Sequence, residues 1–203
     1  MTTNIEFSIG ILSWKGYDSL ANSLLSYQKN GLSKLTKNKF ICLPEYSEEG
    51  IKIAKKFGYK PILIENNIGI LGGFKKLAEE MPEGPLLLLE NDLELVESAE
   101  ITHNQLKKSL EFLKKYDLIQ IRLRSKSNPG DPFVALNKYR KYWSDGYFSK
   151  FLRLLRPFKA NRLIGTATYL LDNPEIRHPQ KIEKLEDGFF LVQSSVMNWA
   201  NLA

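Results

Sequence analysis

Glu90, Asn91 and Asp92 follow four leucines without a break, in the stretch PLLLLENDLELV at 85–96. Two carboxylates two residues apart are the oxygen ligands a hard divalent cation takes. They are also costly to place behind an apolar run unless something cationic meets them. A surface turn whose acids face water is the alternative, and the elements that place the triplet must decide. Comparable polar stretches end other apolar runs: Ser13, Trp14, Lys15 and Gly16 after IEFSIGIL, Glu45 after FICL, and Asn66 and Asn67 after KPILIE.

The elements come in a regular order. Residues 5–14 predict a first strand. The segment YDSLANSLLSYQKNG predicts an amphipathic helix with Leu20, Leu24, Leu25 and Tyr27 on one side, stopped at Gly31. KFICL (39–43) predicts a second strand. SEEGIKIAKKFG predicts a helix capped by Ser47, with acids in its first turn, lysines near its end and Gly58 after it. KPILIE (60–65) and GFKKLAEEM (73–81) predict a third strand and a third helix. The leucine run then reads as a fourth strand buried on both faces, in the middle of a sheet.

This βαβαβαβ order implies a mainly parallel sheet sandwiched by helices, an α/β fold. A further helix over AEITHNQLKKSLEFLKKY and a further strand over DLIQIRLR are expected. The periodicity then fades from 125 to about 163, strand character returns in GTATYLLD (165–172), and the segment beginning KLEDGFFL turns apolar at helical spacing. Open parallel sheets bind ligands beyond the carboxyl ends of their strands. Glu90, Asn91 and Asp92 fall at such an end, as do Ser13 to Gly16, Glu45 and Asn67. The cation that meets the acids is then a metal.

Bulk properties agree with one soluble domain. The chain has 203 residues, 43% hydrophobic and 26% charged, enough to bury a core. No apolar run approaches a bilayer's width, and the polar start with Glu6 predicts no secretory signal. The single Cys42 cannot form an internal disulfide and reads as a core residue in a reducing cytoplasm. Charge is uneven: residues 107–162 hold 15 Lys/Arg against 4 Asp/Glu, although the whole chain is only +6. A basic stretch of this kind suits an anionic partner or is a solvated face.

Four segments in this order resemble the GT-A fold glycosyltransferases, in particular the inverting, nucleotide-sugar-dependent enzymes similar to glycosyltransferase family 2. FSIGILSWKGYDSLANSLLSY resembles their opening strand and helix. ENNIGILGGFKKLAEEM is similar to their N-x-G-x-x-G-G segment, LLLLENDLEL stands where they carry a D-x-D motif, and KLEDGFFL resembles the segment holding their catalytic base. The resemblance implies one GT-A domain over 1–203, with a nucleotide-sugar half at 1–97 and an acceptor half at 98–203 that contains the basic insertion.

It also implies roles. Asp92 would touch Mn²⁺ or Mg²⁺, and Glu90, an Asp in most relatives, would reach the ribose or a metal-bound water. Such an ion offsets charge building on a departing diphosphate. Asn67 would brace the nucleotide or the acidic loop. Gly72 and Gly73 would let backbone approach the ligand or a neighbouring element. Lys75 would contact phosphate or be plain helix surface. Glu45 replaces the family's Asp one residue late and would read a uracil edge, while Ser13 and Trp14 would lie along the base. Asp187, beside Glu186 at the start of a last helix, would be the general base; capping by the helix dipole is the competing role. His178 reads as a loop residue.

The partners implied are a nucleotide-sugar donor, a UDP-sugar, and a glycan or lipid-linked acceptor, with peripheral membrane contact through 138–162 at the inner face of the membrane. No nucleic acid is expected. Two other readings stay open: a non-catalytic basic module for nucleic acid or anionic lipid, and a sugar-phosphate nucleotidylyltransferase, which would open with a Gly-rich basic loop that SWKGYDSL lacks.

Overall fold

The structure is a computed structural model that describes residues 6–123 and 134–193. The chain forms two compact units that divide between Leu123 and Arg124, a boundary beyond the 97/98 division expected from the sequence.

The first unit is a four-stranded parallel sheet flanked by helices, an α/β arrangement of Rossmann-like type. Its elements are β1 (Ser8–Leu12), α1 (Tyr17–Lys29), β2 (Lys39–Pro44), α2 (Glu48–Lys56), β3 (Lys60–Ile64), α3 (Gly69–Glu80), β4 (Leu86–Glu90) and α4 (Ala99–Lys115). The strand order is β3-β2-β1-β4, and Leu12 lies in register with both Cys42 and Glu90. All four strands are parallel, so their carboxyl ends share one edge.

Alternation along the strands serves two cores. Ile9, Ile11, Ile41, Leu43 and Leu87 pack with Leu20 and Leu24 of α1, Ala54 of α2 and Leu106 of α4. On the other face Leu12, Phe40, Cys42, Ile62 and Leu88 meet Phe74 and Leu77 of α3. Burial pushes the Cys42 thiol up to about 11, as suits a core residue. Ser47 caps α2 as expected, accepting from the Gly50 amide at 3.2 Å, and Gly58 follows the helix at φ +75°.

Several expectations need correction. Leucines of β4 do reach both cores, but among the described strands β4 is an edge strand, not a central one. The next expected strand does not form over 118–123, where Ile119 is 88% exposed. Leu25 points to solvent rather than to the apolar side of α1. Helix α3 begins at Gly69, four residues early.

The second unit contains α5 (Val134–Trp143), α6 (Tyr147–Leu155), α7 (Pro157–Arg162), α8 (Ala167–Leu170), α9 (Pro174–Arg177) and the antiparallel pair β5 (Ile182–Lys184) and β6 (Phe190–Val192). Its core joins Tyr139, Tyr142, Leu163, Ile164, Ala167 and Ile182. The expected strand over 165–172 is helical instead, a 3₁₀ turn at Ile164–Thr166 running into α8. Burial of Ile164 and Ala167 in that cluster overrides local β propensity. His178 is buried, and its Nε2 shares a 2.8 Å hydrogen bond with the Tyr139 hydroxyl. Burial, then the nearby Arg177 and Arg153, push its imidazole down to about 4, so it is a neutral core residue.

Candidate functional site

The strand order reverses direction between β1 and β4, and a crevice outside the carboxyl ends is expected where adjacent strands lead away to opposite sides. Gly16, in the loop after β1, and Asn91, immediately after β4, meet there. Asn91 Nδ2 donates to the Gly16 carbonyl at 3.1 Å. A Cβ on Gly16 would run into that amide, which is why the position carries none.

Beyond Asn91 the chain is held by one face of α1. Ser23 Oγ donates to the Asn91 carbonyl at 2.9 Å, the Tyr27 hydroxyl to the Leu93 carbonyl, and Asn30 Nδ2 to the Leu95 carbonyl at 2.7 Å. The Leu95 amide returns a bond to Ser26 Oγ at 2.9 Å. Accepting carbonyls two residues apart are what an extended segment offers on one side. Donors at 23, 27 and 30, with an acceptor at 26, are what one helix face offers. This ladder fixes the segment that carries Asp92, and the sequence reading missed it. The signal was present as polar residues at helical spacing in NSLLSYQKN.

Glu90 is half-buried and Asp92 exposed. Burial first, and the neighbouring Asp92 second, raise the Glu90 carboxyl above the usual carboxylate range. Among the described residues no group of three or more His, Cys, Asp and Glu gathers to hold a metal. Two carboxylates could supply only one or two protein ligands to an ion, the number Mg²⁺ takes beside water and phosphate oxygens.

A second junction lies between the loops after β1 and β2. Trp14 Nε1 donates to Glu45 Oε2 at 2.6 Å, and Lys15 Nζ reaches the same oxygen at 3.0 Å while standing 5.2 Å from the Trp14 ring centroid. Together they hold the Glu45 carboxyl below its usual range, the Trp14 bond foremost. Lys15 (φ 55°) and Glu45 (φ 47°) both adopt the left-handed conformation, uncommon without glycine and frequent at functional turns. Ser13 is 1% exposed, and its hydroxyl finds no partner among the described residues. Such a group is destabilising by about 1–3 kcal/mol unless water or a ligand meets it.

The remaining expected residues divide. Asn67 Oδ1 accepts from the Gly69 amide at 2.8 Å and so shapes the start of α3. Gly72 and Gly73 lie inside α3, not in a turn before it; a Cβ on Gly73 would collide with Leu12, which assigns that glycine to helix–sheet packing. Lys75 is an exposed helix residue 3.8 Å from Glu79.

Glu186 and Asp187 do not start a helix. They form the tight turn joining β5 to β6, with Asp187 at φ 55° and Gly188 at φ 78°, and the Phe189 amide donates to the Glu186 carbonyl at 3.2 Å. Asp-Gly favours positive φ at both central positions of a hairpin turn, so the dipeptide itself carried the signal for a hairpin. The helix-dipole role proposed for these acids disappears with the helix.

Compared with protein-family models, with curated proteins and with solved structures, the chain matches none. Among the described residues no helix is long and apolar enough to cross a membrane.

Proposed function

We propose that the chain is a GT-A type, inverting glycosyltransferase that moves a sugar from a nucleotide-sugar, a UDP-sugar, to a glycan or lipid-linked acceptor. The observation that supports this most is the interacting Glu90–Asp92 pair at the end of β4, next to β1, where the strand order reverses. Asp92, with Glu90, would hold Mn²⁺ or Mg²⁺, which when bound meets the charge developing on a leaving diphosphate. Trp14 offers an exposed aromatic face for a base, and Glu45, ordered by Trp14 and Lys15, an acceptor beside it. Asn91 fixes the spacing of the two loops through Gly16.

Asp187 is assigned the proton of the attacking acceptor hydroxyl. Its place in an Asp-Gly turn is favourable for the test, since asparagine suits the same turn. Asp187→Asn would keep the fold and donor binding while turnover falls by roughly 10²–10⁴-fold. Equilibrium binding of UDP with and without Mn²⁺ tests the reading as a whole. Metal-dependent binding that Asp92→Asn abolishes is the expected result; metal-independent binding, or none, would sink it.

A further inference from the structure

Helix α6 is largely inside out: Leu152 packs against the core of the second unit, but most of its apolar residues do not. Its sequence YFSKFLRLL turns Ser149, 4% exposed, toward the core of the second unit, while Tyr147 and Leu154 stand 90% and 80% exposed. Phe148, Phe151 and Leu155 are exposed with them, and Phe158 continues the patch into α7 at 83%. The inward polar groups are paired. Ser149 Oγ donates to the Lys141 carbonyl at 2.9 Å, and Arg153 Nη1 donates to the Tyr142 carbonyl at 2.6 Å with its guanidinium 4.9 Å from the Trp143 ring centroid. A helix on a water-facing surface ordinarily does the reverse. The local hydrogen bonds hold an orientation that leaves a contiguous apolar face outward, the mark of an interaction surface.

The charge around that face indicates what covers it. Residues 138–162 contain eight Lys/Arg and one acid, Asp145, which Arg177 already engages. Lys150 and Arg156, both exposed, flank the apolar side chains, and Lys150 Nζ lies 5.6 Å from the Tyr147 ring centroid. A second copy would bring the same cations against these, which is unfavourable. A bilayer surface accepts both parts, apolar side chains among the acyl boundary and cations among phosphates. Nine helical residues span roughly 13 Å, enough to lie in an interface and not to cross it.

We propose that the α6 face, with Phe158, docks the chain on an anionic membrane surface. This stands independently of the nucleotide-sugar reading. The test is flotation of the full chain with phosphatidylcholine vesicles, with and without phosphatidylglycerol, at low and high salt. The wild type is expected to float with the anionic vesicles, less so at high salt. Phe151→Glu/Leu154→Glu should cut binding about tenfold or more, and Lys150→Glu/Arg156→Glu should remove the salt-sensitive share. Both pairs are at exposed or solvent-facing positions, and unchanged circular dichroism melts would establish that they fold. Failure of the wild type to float, or flotation of the Glu pair equal to wild type, would overturn the proposal. So would a dimer, seen by sedimentation, that the Phe151→Glu/Leu154→Glu pair dissolves while the wild type ignores vesicles.

Discussion

Helices α1 and α6 use the same residue types in opposite ways. In α1 the leucines at 20 and 24 are sealed against the sheet, and the polar residues at 23, 26 and 30 grip the segment beyond β4. In α6 Ser149 and Arg153 turn inward beside Leu152, while Leu154, Leu155 and the aromatics face out. Sequence periodicity is amphipathic in both. What differs is which stripe the tertiary surroundings can satisfy: α1 meets an apolar sheet face, α6 meets open carbonyls at Lys141 and Tyr142. Amphipathicity shows that a helix has two sides and leaves open which of them is inside.

The sharpest way to break that comparison is one substitution made in both helices. Leu24→Ala, at a fully buried position, should lower stability by about 2–5 kcal/mol. Leu154→Ala, at an 80% exposed position, should stay within about 0.5 kcal/mol. Urea unfolding of the two variants measures both, and equal losses would mean that α6 buries Leu154 after all.

A smaller effect separates the units by pH. His178 is held at about 4, below the ordinary imidazole value of about 6.5. Between those values the unfolded chain binds more protons than the folded one, so stability of the second unit falls as pH drops through that window and is regained above it. Protection of the α5 and β5 amides, taken relative to the intrinsic exchange rate at each pH, should be lower at pH 5 than at pH 7, and His178→Gln should remove the dependence. An unchanged slope in that variant would assign the acid sensitivity elsewhere.

The smallest effect concerns the acidic pair in the first unit. Asp92→Asn removes the second cause of the raised Glu90 carboxyl and leaves burial, the first. Carboxyl carbon NMR should show Glu90 titrating lower than in the wild type yet still above an ordinary glutamate. No movement would mean that Asp92 is too far away to share a cation with it.

Much of the first unit was legible because local signals and tertiary demands agree there. Ser47, Gly58 and the alternating cores of β1 and β2 say the same thing at every level. The edge position of β4 was not legible, since its leucines reach both cores exactly as a central strand's would. In the second unit local signals conflict. The run at 165–172 has strand composition and a helical fate because Ala167 closes against the Tyr139–Tyr142 cluster. Asp187-Gly188 announced a hairpin, and the apolar spacing that follows obscured it. The site was legible as a set of strand ends; the α1 ladder and the Trp14–Lys15–Glu45 junction were not, because each joins residues far apart in sequence.

The central claim is that the strand ends on either side of the β1/β4 crevice hold a divalent ion with a nucleoside diphosphate. Mn²⁺ is paramagnetic, so amide NMR of the chain with UDP and substoichiometric Mn²⁺ tests it most directly. The account predicts broadening that is strongest at Gly16, Glu90, Asn91 and Asp92, absent in Asp92→Asn, and that weakens toward the opposite ends of the strands at Lys39 and Leu86. Broadening centred away from those four residues, or none in the presence of UDP, would contradict it.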